Sequence, residues 1–200
     1  MISKLSSGIV KVLIRQSVVD KENEELYDYG FFILLSQILY FIIALIIGIL
    51  LNVILHSIIF YIAFSFIRRY AGGYHASTEI RCEISTAFSI IACISVIKLS
   101  QFYDFNIILL IISAISAICI FALCPLDTPE KPLSEKEFKY FRKISWLILL
   151  IITILTIISY VLRWKFIFAP CCMSLILESI LISAGKLKKL INTNNNEEKL

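Results

Sequence analysis

The sequence predicts an all-α, polytopic membrane bundle, and three observations carry that expectation. Of its 200 residues, 59% are hydrophobic and 17% charged, where soluble domains carry about 45–50% apolar and about 25% charged residues; the mean hydropathy is +0.88. The apolar residues gather into six runs, four of them near the roughly 20 residues that a spanning helix needs. The basic residues gather in alternate connections between those runs, as the positive-inside rule describes. The length suits a single membrane domain over residues 1–200.

The leader, residues 1–28, is not a secretory signal, because Lys4, Lys11 and Arg15 interrupt its apolar cluster. Ile2, Leu5, Ile9, Val12 and Leu13 instead fall at helical spacing. They predict an amphipathic helix in the headgroup layer, although a plain topology-setting leader has the same composition. The first two runs, Gly30–Leu51 and Val53–Ile67, are barely separated. A continuous helix over both would measure about 57 Å against a hydrocarbon core of about 30 Å, so a tight hairpin is expected.

The remaining runs are Ile84–Ile97, Phe105–Leu123, Ile144–Leu162 and Phe166–Ala184. The second and third runs of the chain are short and flank a polar stretch, residues 68–83. They are expected to be tilted, extended by half-polar turns, or only partly inserted. The loop 124–143 opens with three of the four prolines, Pro125, Pro129 and Pro132, which break helix and extend the chain. It then passes into a charged helical start at Ser134-Glu135-Lys136-Glu137. In the polar tail, 186–200, the asparagine-rich end Asn192–Leu200 is expected to be disordered.

All but Lys98, Arg163 and Lys165 of the 19 lysines and arginines fall in the leader, in 68–83, in 124–143 or in the tail. Both termini and the polar stretch are therefore expected on the cytoplasmic side of a cell membrane. No nucleic-acid partner is expected. Six cysteines occur without a CxxC spacing, so neither a disulfide framework nor a metal site is expected, and no cofactor is implied.

The polar stretch Arg68-Arg69-Tyr70-Ala71-Gly72-Gly73-Tyr74-His75-Ala76-Ser77-Thr78-Glu79-Ile80-Arg81-Cys82-Glu83 is where chemistry is expected. Ser77 or Thr78 suits the N-cap of the next helix. Cys82 then lies in or just past its first turn, where the helix dipole and Arg81 favour a thiolate while Glu79 and Glu83 oppose it. His75 is the only base of suitable pKa on that side. In one straight helix the two would sit about 10.5 Å apart along the axis, beyond hydrogen-bond reach, so His75 would have to precede the helix and fold back. By spacing alone, a histidine and a cysteine near one loop more often mean nothing.

The full string RRYAGGYHASTEIRC resembles the signature of the AgrB family, the membrane peptidases that process precursors of cyclic autoinducer peptides. The likeness extends to the proline-rich loop, the length and the hydropathy. It implies that His75 and Cys82 are the catalytic pair, that Arg68 and Gly73 are needed for activity, and that the partner is an AgrD-like precursor. It also implies a homodimer. The chemistry implied is attack by the Cys82 thiolate on a precursor carbonyl, a thioester on Cys82, and ring closure to a thiolactone or lactone. Asp127 is the first candidate to orient His75 and Glu79 the second; amides near Ser77–Glu79 would form the oxyanion hole. Lys131, Lys136, Lys139, Arg142 and Lys143 would attract an acidic peptide tail, or serve topology alone.

Two other classes compete with this reading. Six spans permit a small-solute or peptide transporter, with Glu178, the one ionisable residue well inside a span, either functional or in a shallow, water-facing position. A bis-histidine haem fails, because His56 falls near the outer hairpin and His75 at the inner face, so they could not ligate one iron.

Overall fold

The computed structural model describes residues 2–74, 79–127 and 134–197, with side chains throughout except those of Glu79 and residues 192–197. Seven α-helices fill these segments: α1 (Ile2–Arg15), α2 (Glu24–Leu50), α3 (Ile54–Ala71), α4 (Glu79–Leu99), α5 (Asn106–Leu123), α6 (Glu135–Val161) and α7 (Lys165–Glu197). Helices α2 to α7 are each long and apolar enough to cross a membrane. Most of their large side chains on the outer faces, such as Ile84, Phe88, Ile107 and Ile118, are exposed, as a bundle solvated by lipid tails requires.

The leader forms the helix its spacing predicts, and that helix has two apolar faces of different use. Ile2, Ser6 and Val10 are buried, one turn apart, where α1 lies along α2. Ser6 donates to the Asp28 carbonyl at 2.6 Å and also meets its carboxylate, while Ser7 donates to Asp28 Oδ2 at 2.8 Å. Leu5 and Val12 stay exposed on the other face.

The expected hairpin between the first two runs is present, with a turn at Leu51–Val53. Asn52 takes φ 56°, a left-handed conformation that asparagine tolerates better than most residues. The Val53 amide donates to Gly48 O at 2.7 Å and closes the turn. Gly48 lets α3 come close: a Cβ there would lie 2.9 Å from Ser57 Cβ and 3.1 Å from the Ile54 Cα.

The short runs are extended by half-polar turns, one of the three expectations for them. The polar residues Arg68–Ala71 complete α3 to 18 residues, and Glu79–Glu83 open an α4 of 21 residues. The charged start of α6 is a capping box: Ser134 Oγ accepts from the Glu137 amide at 3.3 Å, and Glu137 Oε2 accepts from the Ser134 amide at 2.9 Å.

Helix α7 is the axis of the bundle. Of its spanning segment 67% is buried, against 17–33% for the other five. Phe168, Cys172 and Met173 pack with Phe60, Phe64, Ile90 and Ile94 in one cluster, while Leu175 and Ile182 pack with Ile67, Ile120 and Leu149 in another. The expected disorder of the tail is corrected in part, since α7 continues to Glu197. Extending an existing helix adds one hydrogen bond per residue fixed and avoids the nucleation cost, so a poor helix-forming sequence follows a well-anchored one.

Candidate active site

The site begins where α3 ends. Gly72 and Gly73 take φ 79° and 138°, conformations that a residue with a Cβ adopts only under strain. They turn the chain so that the Arg68 side chain, one turn back on α3, reaches over the helix end. Arg68 Nη1 donates to Gly72 O at 2.7 Å, and Nη2 donates to Tyr74 O at 2.7 Å. The planar fork of a guanidinium suits two carbonyls in this way, and its charge suits the negative end of a helix.

Two other parts of the chain, α7 and the connection after α5, meet this turn. The Tyr74 amide donates to Leu181 O of α7 at 2.8 Å, and the Leu126 amide donates to Ala71 O at 2.8 Å. A Cβ on Gly72 would fall 2.7 Å from Leu126 O, and one on Gly73 would land on the Arg68 guanidinium, 2.9 Å from Cζ. On α7, a Cβ at Gly185 would lie 2.8 Å from both Gly73 C and Tyr74 N. Glycine is therefore required here for close approach as well as for φ.

Behind Arg68 stands Glu178 of α7, with Oε1 3.9 Å from Nη1. Its side chain is 0% exposed, and neither carboxylate oxygen has a hydrogen-bond partner among the described residues. The water-facing alternative for Glu178 is thus corrected: α3 and α7 pack along each other and enclose it.

Cys82 is the fourth residue of α4 and is half-buried. Tyr40 of α2 lies within electrostatic reach of Cys82, Glu83 and Arg68. Glu83 Oε1 is buried without a hydrogen-bond partner among the described residues. Four other thiols, Cys93, Cys124, Cys171 and Cys172, are buried. Burial also pushes the Cys124 thiol above its ordinary pKa, despite the opposing charge of Arg142, which makes it a poor nucleophile. Cys119 is half-buried too, with its Sγ 3.3 Å from Ser183 Oγ.

His75, Ser77, Thr78 and Lys131 lie outside the described residues, as does the Glu79 side chain. Arg68 and Gly73 are brought together. Asp127 lies on the same side, next to Leu126, with its carboxylate 3.7 Å from Lys189 Nζ and its carbonyl accepting from that ammonium at 3.0 Å. Lys136, Lys139, Arg142 and Lys143 are exposed on the first turns of α6. Arg142 is already engaged, 4.7 Å over the Trp146 ring, which stacks on Phe121 at 4.5 Å. His56 is remote: its Nε2 lies 3.1 Å from the Gln101 amide nitrogen.

Sequence reasoning missed Tyr40 and the partner of Glu178. A carboxylate in an apolar span signals the second, because a buried charge needs a counter-charge. Nothing local marks Tyr40 among nine tyrosines.

A family model described as Accessory gene regulator B, AgrB, matches residues 6–182, which run from within α1 to the spanning part of α7 and take in every residue of the site except Gly185 and the lysines beyond it. Searches of curated proteins and of solved structures find no match to the chain.

Proposed function

Because the chain belongs to the AgrB family, whose role is in processing the autoinducing peptide, we propose that it is a membrane cysteine endopeptidase acting on an AgrD-like precursor. The observation that carries the reading is the placement of Cys82: a half-exposed thiol at the N-terminal end of α4, at the end of the bundle where Arg68 holds the Gly72–Tyr74 turn. Residue 75 follows that turn directly.

His75 takes the Cys82 proton, and the thiolate attacks a backbone carbonyl of the precursor. As the tetrahedral adduct collapses, the C–N bond breaks, the imidazolium returns its proton to the leaving amine, and the C-terminal fragment departs. The N-terminal part stays as a thioester on Cys82. An internal Cys or Ser of the peptide then displaces Cys82 and closes a thiolactone or lactone, its proton passing through His75 to regenerate the thiol. Water at this step would give a linear acid, so shelter at the membrane boundary favours the ring. The distribution of basic residues supports a cytoplasmic active site and cytoplasmic termini.

A transporter reading drew on Glu178, but that carboxylate is enclosed by protein and faces Arg68, which does not favour contact with a solute. In cells co-expressing the precursor, Cys82→Ala should lower cleavage about a thousandfold or more, while Cys119→Ala should leave it near wild type. Undiminished cleavage by the Cys82 variant would end the proposal.

A further inference from the structure

The Arg68 guanidinium fixes two carbonyls of the turn, and its own placement is fixed from behind. We propose that Glu178 is a positioning residue for the His75–Cys82 pair, acting through Arg68 on the Gly72–Tyr74 main chain. The inference deepens the peptidase reading and rests on it.

Glu178 is an unpromising way to stabilise a fold. A carboxylate buried with no hydrogen bond among the described residues, and with its cation at 3.9 Å, carries a large desolvation penalty that such a distant pair recovers poorly. An apolar side chain of similar volume would serve the packing better. What a charge supplies, and an apolar residue does not, is a defined seat for the guanidinium that holds Gly72 O and Tyr74 O.

The rest of the same α7 face does related work. Positions 178, 181 and 185 are spaced i, i+3 and i+7, along one side of a helix. Leu181 O takes the Tyr74 amide, and the bare Cα of Gly185 admits the Gly73–Tyr74 main chain. Three successive residues ahead of His75 are thereby referred to one buried helix, Gly72 through Arg68 and Glu178, Gly73 through Gly185, and Tyr74 through both Arg68 and Leu181. The reach of the imidazole to Cys82 inherits that reference.

The test uses the full-length chain in liposomes, with the five cysteines other than Cys82 replaced by alanine. The rate of alkylation of Cys82 by iodoacetamide is followed against pH by mass spectrometry, so no peptide is needed. His75→Ala should displace the pH–rate profile, since the thiol loses its base, and Glu178→Gln should displace it in the same direction. Glu178→Asp, which keeps the charge but withdraws it, should give a smaller displacement. On purified precursor, Glu178→Gln should lower kcat up to about 100-fold, the scale of a 1 Å misplacement, with KM little changed because Glu178 does not touch the peptide.

A displaced profile for His75→Ala beside a wild-type profile for Glu178→Gln would overturn the inference and leave the peptidase reading intact. An undisplaced profile for His75→Ala would overturn both. Should Glu178→Gln fail to accumulate, Glu178→Asp decides, and a wild-type profile in that variant overturns the inference.

Discussion

At the end of the bundle that holds Leu51–Val53 and Leu162–Trp164, each turn closes on its own backbone. Val53 N–H reaches Gly48 O at 2.7 Å, and Trp164 N–H reaches Ser159 O at 2.8 Å. The left-handed residues that make this possible are Asn52 at φ 56° and Arg163 at φ 58°, so a few consecutive residues suffice. At the opposite end, the partners are far apart in the chain. Tyr74 bonds to Leu181 and Leu126 to Ala71, Asp127 pairs with Lys189, and Arg68 pairs with Glu178. The first end is held mainly by local closures that the fold needs; the second is an assembly in which α3, α5, α7 and the connections after α3 and α5 fix one turn. Damage at the first should therefore appear as lost protein, and damage at the second as lost turnover.

The largest effect expected from this contrast separates two glycines. Gly73→Ala strains φ 138° and drives a methyl group into the Arg68 guanidinium. Cleavage per folded molecule should fall about 100-fold or more, with protein level little changed. Gly48→Ala crowds Ser57 and Ile54 across the hairpin, an overpacking that costs about 1–3 kcal/mol. Its thermal midpoint and abundance should fall while cleavage per folded molecule stays near wild type. Quantified immunoblots beside precursor cleavage give both numbers, and the reverse pattern would break the comparison.

The same contrast explains what could be read in the residues alone. Composition and run length gave the six spans, and the Asn52 junction gave the hairpin, because those are set by neighbours in sequence and by bilayer thickness. The charged helical start at Ser134–Glu137 was legible for the same reason, though not that it forms a capping box. The lengths of α3 and α4 were not, since Arg68–Ala71 and Glu79–Glu83 are polar and enter helices that hydropathy alone would end sooner. In the site, Arg68, Gly73 and Cys82 were marked by a motif. Glu178 was noticed without its partner, and Tyr40 was not noticed, because both depend on helices meeting across the bundle.

A middle-sized effect sharpens the role of Asp127. Its pair with Lys189 is 39% and 45% exposed, and an exposed ion pair of this kind contributes about 0–1 kcal/mol. If Asp127 serves mainly to tie the connection after α5 to α7, Asp127→Asn and Lys189→Ala should each lower cleavage less than about fivefold, a loss of about 1 kcal/mol. A loss far beyond that in Asp127→Asn, with Lys189→Ala near wild type, would instead make Asp127 the residue that orients His75.

The smallest effect concerns the other histidine. His56 sits in the first turn of α3 and meets Gln101 at 3.1 Å, whereas Arg68 and Ala71 lie at the far end of the same helix. The 15 residues from His56 to Ala71 rise about 22 Å at 1.5 Å per residue, so no side-chain movement brings that imidazole to Cys82. One neutral hydrogen bond is worth about 0.5–1.5 kcal/mol of stability, and His56→Ala should lose no more than that. Cleavage per folded molecule should change less than about twofold, against near-complete loss for His75→Ala. A large drop in turnover from His56→Ala at normal protein level would mean that the locally closed end is energetically coupled to the chemistry, and the division between the two ends would fail.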